Sequence, residues 1–296
     1  MVNGGLLVRK PRGISSFDVI RALQPGAKAM KIGHTGTLDP FAEGLLIILV
    51  GKAVKLAEYF LNASKTYRGT WCFGETSASL DPTTPIQKVR CVIPSYETLK
   101  KQAHTFTQKP YEQIPPMFSA KKKEGKRLYE LARLGQETTR SSKTCFLKKF
   151  TMESYEPPHV TFEVTCSSGT YIRTLVKDFA ESLGSMALLK SLLRTQSGGF
   201  ELKQAWTLEA ISEHPHWEEL PCFVPFDQLM KHYPQAQATP SEGVAIAQGK
   251  QEVVRRLLQE ARDSETVGIY QESQLIAIAQ KKKELWHLKK VFIEAF

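Results

Sequence analysis

The chain reads as an α/β protein with a small β-rich unit towards its C-terminal end. Three observations predict this. Short apolar runs of buried-strand type alternate with capped stretches of helical spacing over most of the chain. Hydrophobic residues make up 42% and charged residues 24% of the 296, which is ordinary for a folded protein with a sizeable core. Three strand-like runs, residues 267–270, 275–279 and 285–288, crowd the last stretch, with Lys281, Lys282 and Lys283 turning between the last two.

The elements follow in order. Residues 6–8 form a short strand ended by Arg9-Lys10-Pro11. Ser15 and Ser16 offer an N-cap, and Phe17, Ile20 and Leu23 recur at helical spacing behind them. Residues 31–43, KIGHTGTLDPFAE, make a shaped loop: Gly33 and Gly36 flank His34 and Thr35, and Pro40 follows Asp39. The all-apolar run 44–50 behind it is a buried strand. Residues 52–61 read as a helix with Val54, Leu56, Ala57 and Phe60 on its apolar side, and 66–73 as a strand. Residues 81–85 are a loop, and Ser95 caps a helix to about Phe106. Prolines at 115 and 116 forbid regular helix; a basic run at 121–127 then leads into a helix from about 128 to 134, closed by Gly135. Alternation at 160–165 gives a half-buried strand, 167–170 a turn, and 171–183 a helix ended by Gly184. An apolar stretch at 187–193 closes at 197–199, residues 221–225 mark a boundary, and Ser241 caps a short helix ending near Gly249.

Charge narrows the function. The net charge is +10, and residues 101–150 carry twelve Lys/Arg against four Asp/Glu. Such a stripe is the footprint of a polyanion partner, though composition alone leaves a merely solvated surface equally open. The five cysteines are odd in number and lack CxxC spacing, and no HExxH occurs, so neither a disulfide framework nor a metal site is expected. There is no GxxxxGK[ST] or GxGxxG, hence no nucleotide cofactor. No apolar run reaches the ~18–20 residues of a membrane span, and the first ten residues lack a signal-peptide core. A cytoplasmic protein is expected.

Four positions stand out. Asp39 before a proline is ordinarily a turn former, and that reading stays open beside a chemical one. Asp81-Pro82 repeats the Leu-Asp-Pro core without the GHTG lead. Tyr67 lies among basic neighbours on a strand, as a core residue or as an aromatic face for an unpaired base. Arg173 stands in the first turn of a helix, where a cation opposes the helix dipole and calls for an acidic partner such as Asp39.

Taken together, the motifs resemble a known family. GHTGTLDP at 33–40, KTYRG at 65–69, IPPMFSAKK at 114–122, GKRLYELARLG at 125–135 and GTYIRT at 169–174 stand in the order seen in tRNA pseudouridine synthases of the TruB type; KPRGISSFDVI at 10–20 and LLRTQSG at 192–198 are similar too. The resemblance covers roughly residues 5–200. It implies a mixed, mainly antiparallel catalytic sheet in residues 1–225 with a helical thumb at about 113–137, and a PUA-like RNA-binding domain in 226–296. It implies a cofactor-free isomerisation of the uridine at position 55 in the TΨC loop of tRNA, by a standalone, monomeric enzyme. Asp39 would be the catalytic aspartate, acting by attack at C1′, by a glycal route or by addition at C6. His34 would fill space in the deformed RNA loop. Tyr67 would stack on the flipped uracil and take up its C5 proton, Arg173 would pair with Asp39, and Tyr171 and Leu192 would line the pocket. Asp81 falls at an acidic family position. The 76–85 loop departs from the family by its prolines. A non-catalytic RNA-binding factor and a guide-RNA-dependent synthase of the dyskerin type are the competing readings; intact Asp39, Tyr67 and Arg173 argue against the first, and the short chain against the second.

Overall fold

The computed structural model describes residues 2–119, 122–123, 125–136, 138–259, 261 and 265–293. Strand β1 (Gly4–Lys10) leads into helix α1 (Ser16–Ala27), then strands β2 (Ile32–His34), β3 (Glu43–Val50) and β4 (Lys65–Phe73). Helices α2 (Tyr96–Gln108) and α3 (Leu128–Arg133) follow, then the hairpin of β5 (Leu147–Glu156) and β6 (His159–Cys166), helix α4 (Ile172–Glu181) and strand β7 (Ala187–Ser197). One mixed sheet runs β5-β6-β4-β7-β3-β1 and then Trp206–Thr207; its long pairings are antiparallel, and two short ones, β7 on β3 and β1 on Trp206–Thr207, are parallel. The mixed, mainly antiparallel sheet expected from the sequence is therefore present.

The local signals explain most elements. Ser15 caps α1 in a reciprocal box with Asp18, and Ser95 caps α2 through the Thr98 amide. Seven of the eight β3 residues are buried, since strand and helix layers cover both of its faces. The helix expected over 52–61 is split into a 3-10 turn, Gly51–Leu56, and a short α-helix, Ala57–Asn62. Buried Lys65 ends the latter, donating to the carbonyls of Phe60, Leu61 and Ala63. Two other expectations are corrected. Phe17 does not join the apolar side of α1: it is 61% exposed, while Val19, Ile20, Leu23 and Ala27 are buried. Thr239, not Ser241, caps the helix Pro240–Ala247, because Pro240 suits the first helical position and Glu242 completes a capping box.

The proposed thumb stretch departs from the sheet through a two-stranded ribbon, in which Tyr111–Gln113 pairs with Lys143–Cys145. Beyond it, α3 rests its Leu128 and Leu131 on Met117. Lys121, Glu124 and the Glu137 end of the stretch lie outside the described residues. The 221–225 segment is not merely a boundary: Phe223–Pro225 pairs with β1 as another strand of the main sheet. Strands Gln235–Gln237, Thr266–Gln271, Gln274–Lys282 and Leu285–Val291 form a separate four-stranded sheet, so the three expected C-terminal strands are present.

Two large hydrophobic clusters sit side by side. One gathers β1, β3 and α1 with Phe226, Leu229 and Met230, and takes in Tyr270, Leu275 and Ile278 of the C-terminal sheet. The other gathers β4–β7, α2 and α4 around Trp71, whose ring lies 4.9 Å from Phe162 and 5.5 Å from Phe179. Leu38 and Phe41 belong to this second cluster, while the strand that follows them, β3, belongs to the first. Asp39 therefore stands at the seam between the two.

Candidate active site

The loop between β2 and β3 is held on every side. Ser16 Oγ accepts the Leu38 amide at 2.8 Å and lies 3.2 Å from the Leu38 carbonyl. The Gly13 amide donates to the Pro40 carbonyl at 2.7 Å, and the Ala42 amide to the Asp39 carbonyl at 3.1 Å. Arg194 reaches across from β7, giving Nε to the Leu45 carbonyl at 2.7 Å and Nη2 to the Gly36 carbonyl at 3.1 Å. Burying Leu38 and Phe41 contributes about 1.5–3 kcal/mol each. Ordering five or six loop residues costs about 1–2 kcal/mol per residue. The apolar anchors alone fall short, so the polar ties from Ser16, Gly13 and Arg194 decide that the loop is rigid. Gly44 is required where β3 meets β7: its φ is +110°, and a Cβ there would stand 2.4 Å from the Arg194 carbonyl oxygen.

Arg173 meets Asp39 in a two-point fork: Nε lies 2.9 Å from Oδ2, and Nη2 2.9 Å from Oδ1. Nη2 also donates to the Phe118 carbonyl at 2.9 Å, and Nη1 to the Ser79 carbonyl at 2.7 Å with Asp81 Oδ2 at 3.3 Å. A guanidinium has five N–H donors; four of them are hydrogen-bonded here, and Asp81 adds a further charge contact. The Arg173 side chain is 2% exposed, whereas Asp39 keeps 32% of its side chain open. The cation is thus wholly internal and the carboxylate faces outward from it. Loss of water pushes the Asp39 carboxyl above the usual carboxylate range; Arg173 is the strongest influence opposing this.

Two further charged groups back the pair. Asp81 is buried and held by its own loop: Oδ1 accepts Ser79 Oγ at 2.6 Å, the Thr83 amide at 2.9 Å and the Thr83 hydroxyl. Lys10 is 0% exposed at the end of β1, and its ammonium donates to the carbonyls of Pro11 at 2.8 Å and Ile14 at 2.7 Å. Burial lowers its pKa to about 8, with the Asp39 charge the main influence in the opposite direction.

Of the remaining expected residues, Tyr67 and Tyr171 feel the charge of the same carboxylate. Tyr67 on β4 and Arg194 on β7 are direct cross-strand partners, so their side chains share a sheet face. Burial raises the Tyr67 pKa, the charge and hydrogen bond of Arg194 oppose that, and the Asp39 charge is felt at the hydroxyl. Leu192 lies two residues before Arg194 and is buried. His34 ends β2; its Nδ1 accepts the Gly36 amide at 3.3 Å, and burial with Arg194 nearby lowers its pKa, favouring the neutral ring. Tyr171 occupies the N-cap position of α4. Gln113 accepts its amide at 2.7 Å and donates to its carbonyl at 3.0 Å, tying the ribbon at 111–113 to the residue two before Arg173. Burial raises the pKa of the Tyr171 hydroxyl, which also feels the Asp39 charge.

Asp39 and Arg173, 134 residues apart, are thus in direct contact, and Tyr67 and Tyr171 lie in the same electrostatic neighbourhood. The sequence reading overlooked Lys10, Gln113 and Arg194. Arg194 carried a usable signal, a cation after two leucines in an apolar run; Lys10 and Gln113 carried none, because their burial arises only from packing. Chemically, the site offers a partly open carboxylate held by a buried guanidinium, with two tyrosines that feel its charge.

The model of the TruB family pseudouridylate synthase N-terminal domain matches residues 24–172. The chain is 36% identical over 290 residues to a tRNA pseudouridine synthase B of Neisseria meningitidis, covering 97% of this chain and 93% of that one. It is 34% identical to the Streptococcus mutans protein of the same name, covering 99% of this chain and 100% of that one. Among solved structures, a Cbf5-Nop10-Gar1 complex aligns with a TM-score of 0.75 at 21% identity, covering 99% of this chain and 85% of the other. That likeness bears on the fold alone.

Proposed function

The chain belongs to the TruB family of pseudouridylate synthases, pseudouridine-forming isomerases, and from that premise we propose that it converts uridine 55 in the TΨC loop of tRNA to pseudouridine with Asp39 as nucleophile. The tRNA pseudouridine synthases B among its relatives support the coarser statement, pseudouridylation of tRNA. The observation that carries the role of Asp39 is the Arg173 fork: a fully buried guanidinium holds both oxygens of a partly open carboxylate.

The reaction breaks the bond from C1′ to N1 and forms one from C1′ to C5. The C5 proton is lost and N1 gains one, so no oxidant, reductant or energy source enters. In this reading Asp39 adds to the substrate while ionised, and Arg173 keeps it so despite the loss of water. Tyr67 stacks on the flipped uracil and takes up its C5 proton; burial raises the tyrosine's pKa, and Arg194 opposes that rise. His34, neutral and rigid on β2, fills the space the flipped base leaves. Tyr171 and Leu192 line the pocket. Residues 1–225 act as the catalytic domain, the segment at about 113–137 as a thumb that closes on RNA, and 226–296 as a PUA-like RNA-binding domain. All of these side chains come from one chain, so a monomer suffices, and the substrate places the protein in the cytoplasm.

The test is direct. Unmodified tRNA transcript is incubated with the protein and pseudouridine is mapped by carbodiimide treatment and primer extension. A single stop at position 55 is expected, and Asp39→Asn should abolish it while leaving RNA affinity within about threefold. Full turnover by that variant would sink the role of Asp39; a stop elsewhere would sink the assignment of the target.

A further inference from the structure

The exposed face of α1 presents an aromatic ring that folding does not use. Val19, Ile20, Leu23 and Ala27 already seat the helix in the core. Phe17 stands outside them at 61% exposure, forgoing the burial a phenylalanine normally gains. A lone exposed apolar residue is common, but three features single this one out. It follows Ser16 directly, the residue whose hydroxyl grips Leu38 beside Asp39. The Arg21 guanidinium lies 5.5 Å from its ring centroid. Residues 9–31 carry five exposed Lys/Arg, Lys10 being internal, against one acidic residue, Asp18, and Asp18 is engaged by the Ser15 cap and by Arg21. Exposed Arg21 and Gln24 continue the same helix face four and seven residues on from Phe17, and exposed Lys28 follows at the C-cap.

We propose that Phe17 is a stacking platform for an unpaired base of the RNA substrate, outside the catalytic pocket, with Arg21 and Lys28 set to meet the flanking phosphates. Aromatic rings among cations are how proteins hold single-stranded bases, since every base has a stackable face. A protein partner fits less well, because the surface around the ring is almost uniformly positive and a polyanion is its complement. The proposal rests on the reading that the substrate is a structured RNA with an unpaired loop.

Binding and turnover of unmodified tRNA transcript by wild type, Phe17→Ala and Phe17→Trp provide the test, with an RNA duplex of equal length and no unpaired base as comparison. Phe17→Ala should weaken transcript binding by about five- to a hundredfold, the range for loss of one base stack, and leave duplex binding unchanged. Its turnover at low RNA should fall in step and recover as RNA is raised. Phe17→Trp should restore affinity, with its indole fluorescence quenched by transcript. Unchanged transcript affinity in Phe17→Ala, an equal loss on duplex, or no recovery in Phe17→Trp would each overturn the platform. Absence of pseudouridine with the wild type would instead overturn the assigned activity, leaving the binding comparison intact.

Discussion

Arg173 is the residue on which the site's electrostatics turn. A lysine there carries the same charge but one compact ammonium, which cannot hold both Asp39 oxygens and also serve Ser79, Phe118 and Asp81. Arg173→Lys is therefore expected to lower single-turnover pseudouridine formation by about a hundredfold or more, the scale of losing one preorganised electrostatic contact, with a much smaller change in RNA affinity. Equal losses in both would mean that Arg173 serves binding rather than chemistry. Lys10 gives a prediction in pH. Its folded pKa of about 8 lies below the ordinary 10.5, so between these values the unfolded chain binds the extra proton and stability rises with pH. The neutral amine retains two N–H donors for its two carbonyls. Wild type should gain on Lys10→Met by up to about 3 kcal/mol from pH 8 to 10.5; denaturant melts at each pH, with no change in the difference, would refute this. At this scale the sequence was legible for Asp39 and Arg173 because each broke a local rule: a carboxylate in a stiff glycine–proline loop, and a cation in a first helical turn. Lys10 broke none, since lysine before proline at a strand end is ordinary on a surface.

At the scale of elements, α1 and the Asp39 loop work as one piece. Ser16 contributes both an acceptor and a short contact to Leu38 in a buried setting. Ser16→Ala should cost about 1–3 kcal/mol of stability, the price of orphaned buried groups. It should also reduce turnover more than RNA affinity, because the carboxylate loses its register while the surface does not change. A stable variant with full turnover would show that the loop is held without α1. The capped helices and the β3 run could be read directly, since caps and apolar periodicity are local. The hairpin partner β5 escaped notice: its sequence, LKKFTMESYE, alternates weakly because register shifts at Leu147/Lys149 and Met152/Ser154 break the period of two. Phe17 misled for a related reason. Spacing assigns a residue to a helix face, but only the packed neighbours decide how wide the buried stripe is.

For the whole molecule, the charge of +10 and the cluster shared between the two sheets matter most. If thumb and α1 cations meet RNA phosphates, affinity must fall with salt through counterion release; contact with about six phosphates predicts a loss of about a thousandfold between 50 and 200 mM. Filter binding across that range with a flat response would contradict an electrostatic interface. The C-terminal sheet is joined to the rest by more than a linker: the Leu275 amide donates to Asp227 Oδ1 at 2.8 Å, the Tyr233 hydroxyl to the Tyr59 carbonyl at 2.9 Å, and Lys290 pairs with Glu58 at 2.8 Å. Two of these ties, from Tyr233 to Tyr59 and from Lys290 to Glu58, cross the expected boundary near 225. By itself the sequence determined the α/β class, the local helix stops and starts, and the ordered motifs that mark the family, because periodicity, caps and short signatures are written within a few residues of one another. Only the tertiary structure decided the two-point geometry in which Arg173 holds Asp39, that Lys10 and Arg194 are internal and that Phe17 is not. Those facts depend on which surfaces cover one another, and burial is a property of the assembled chain.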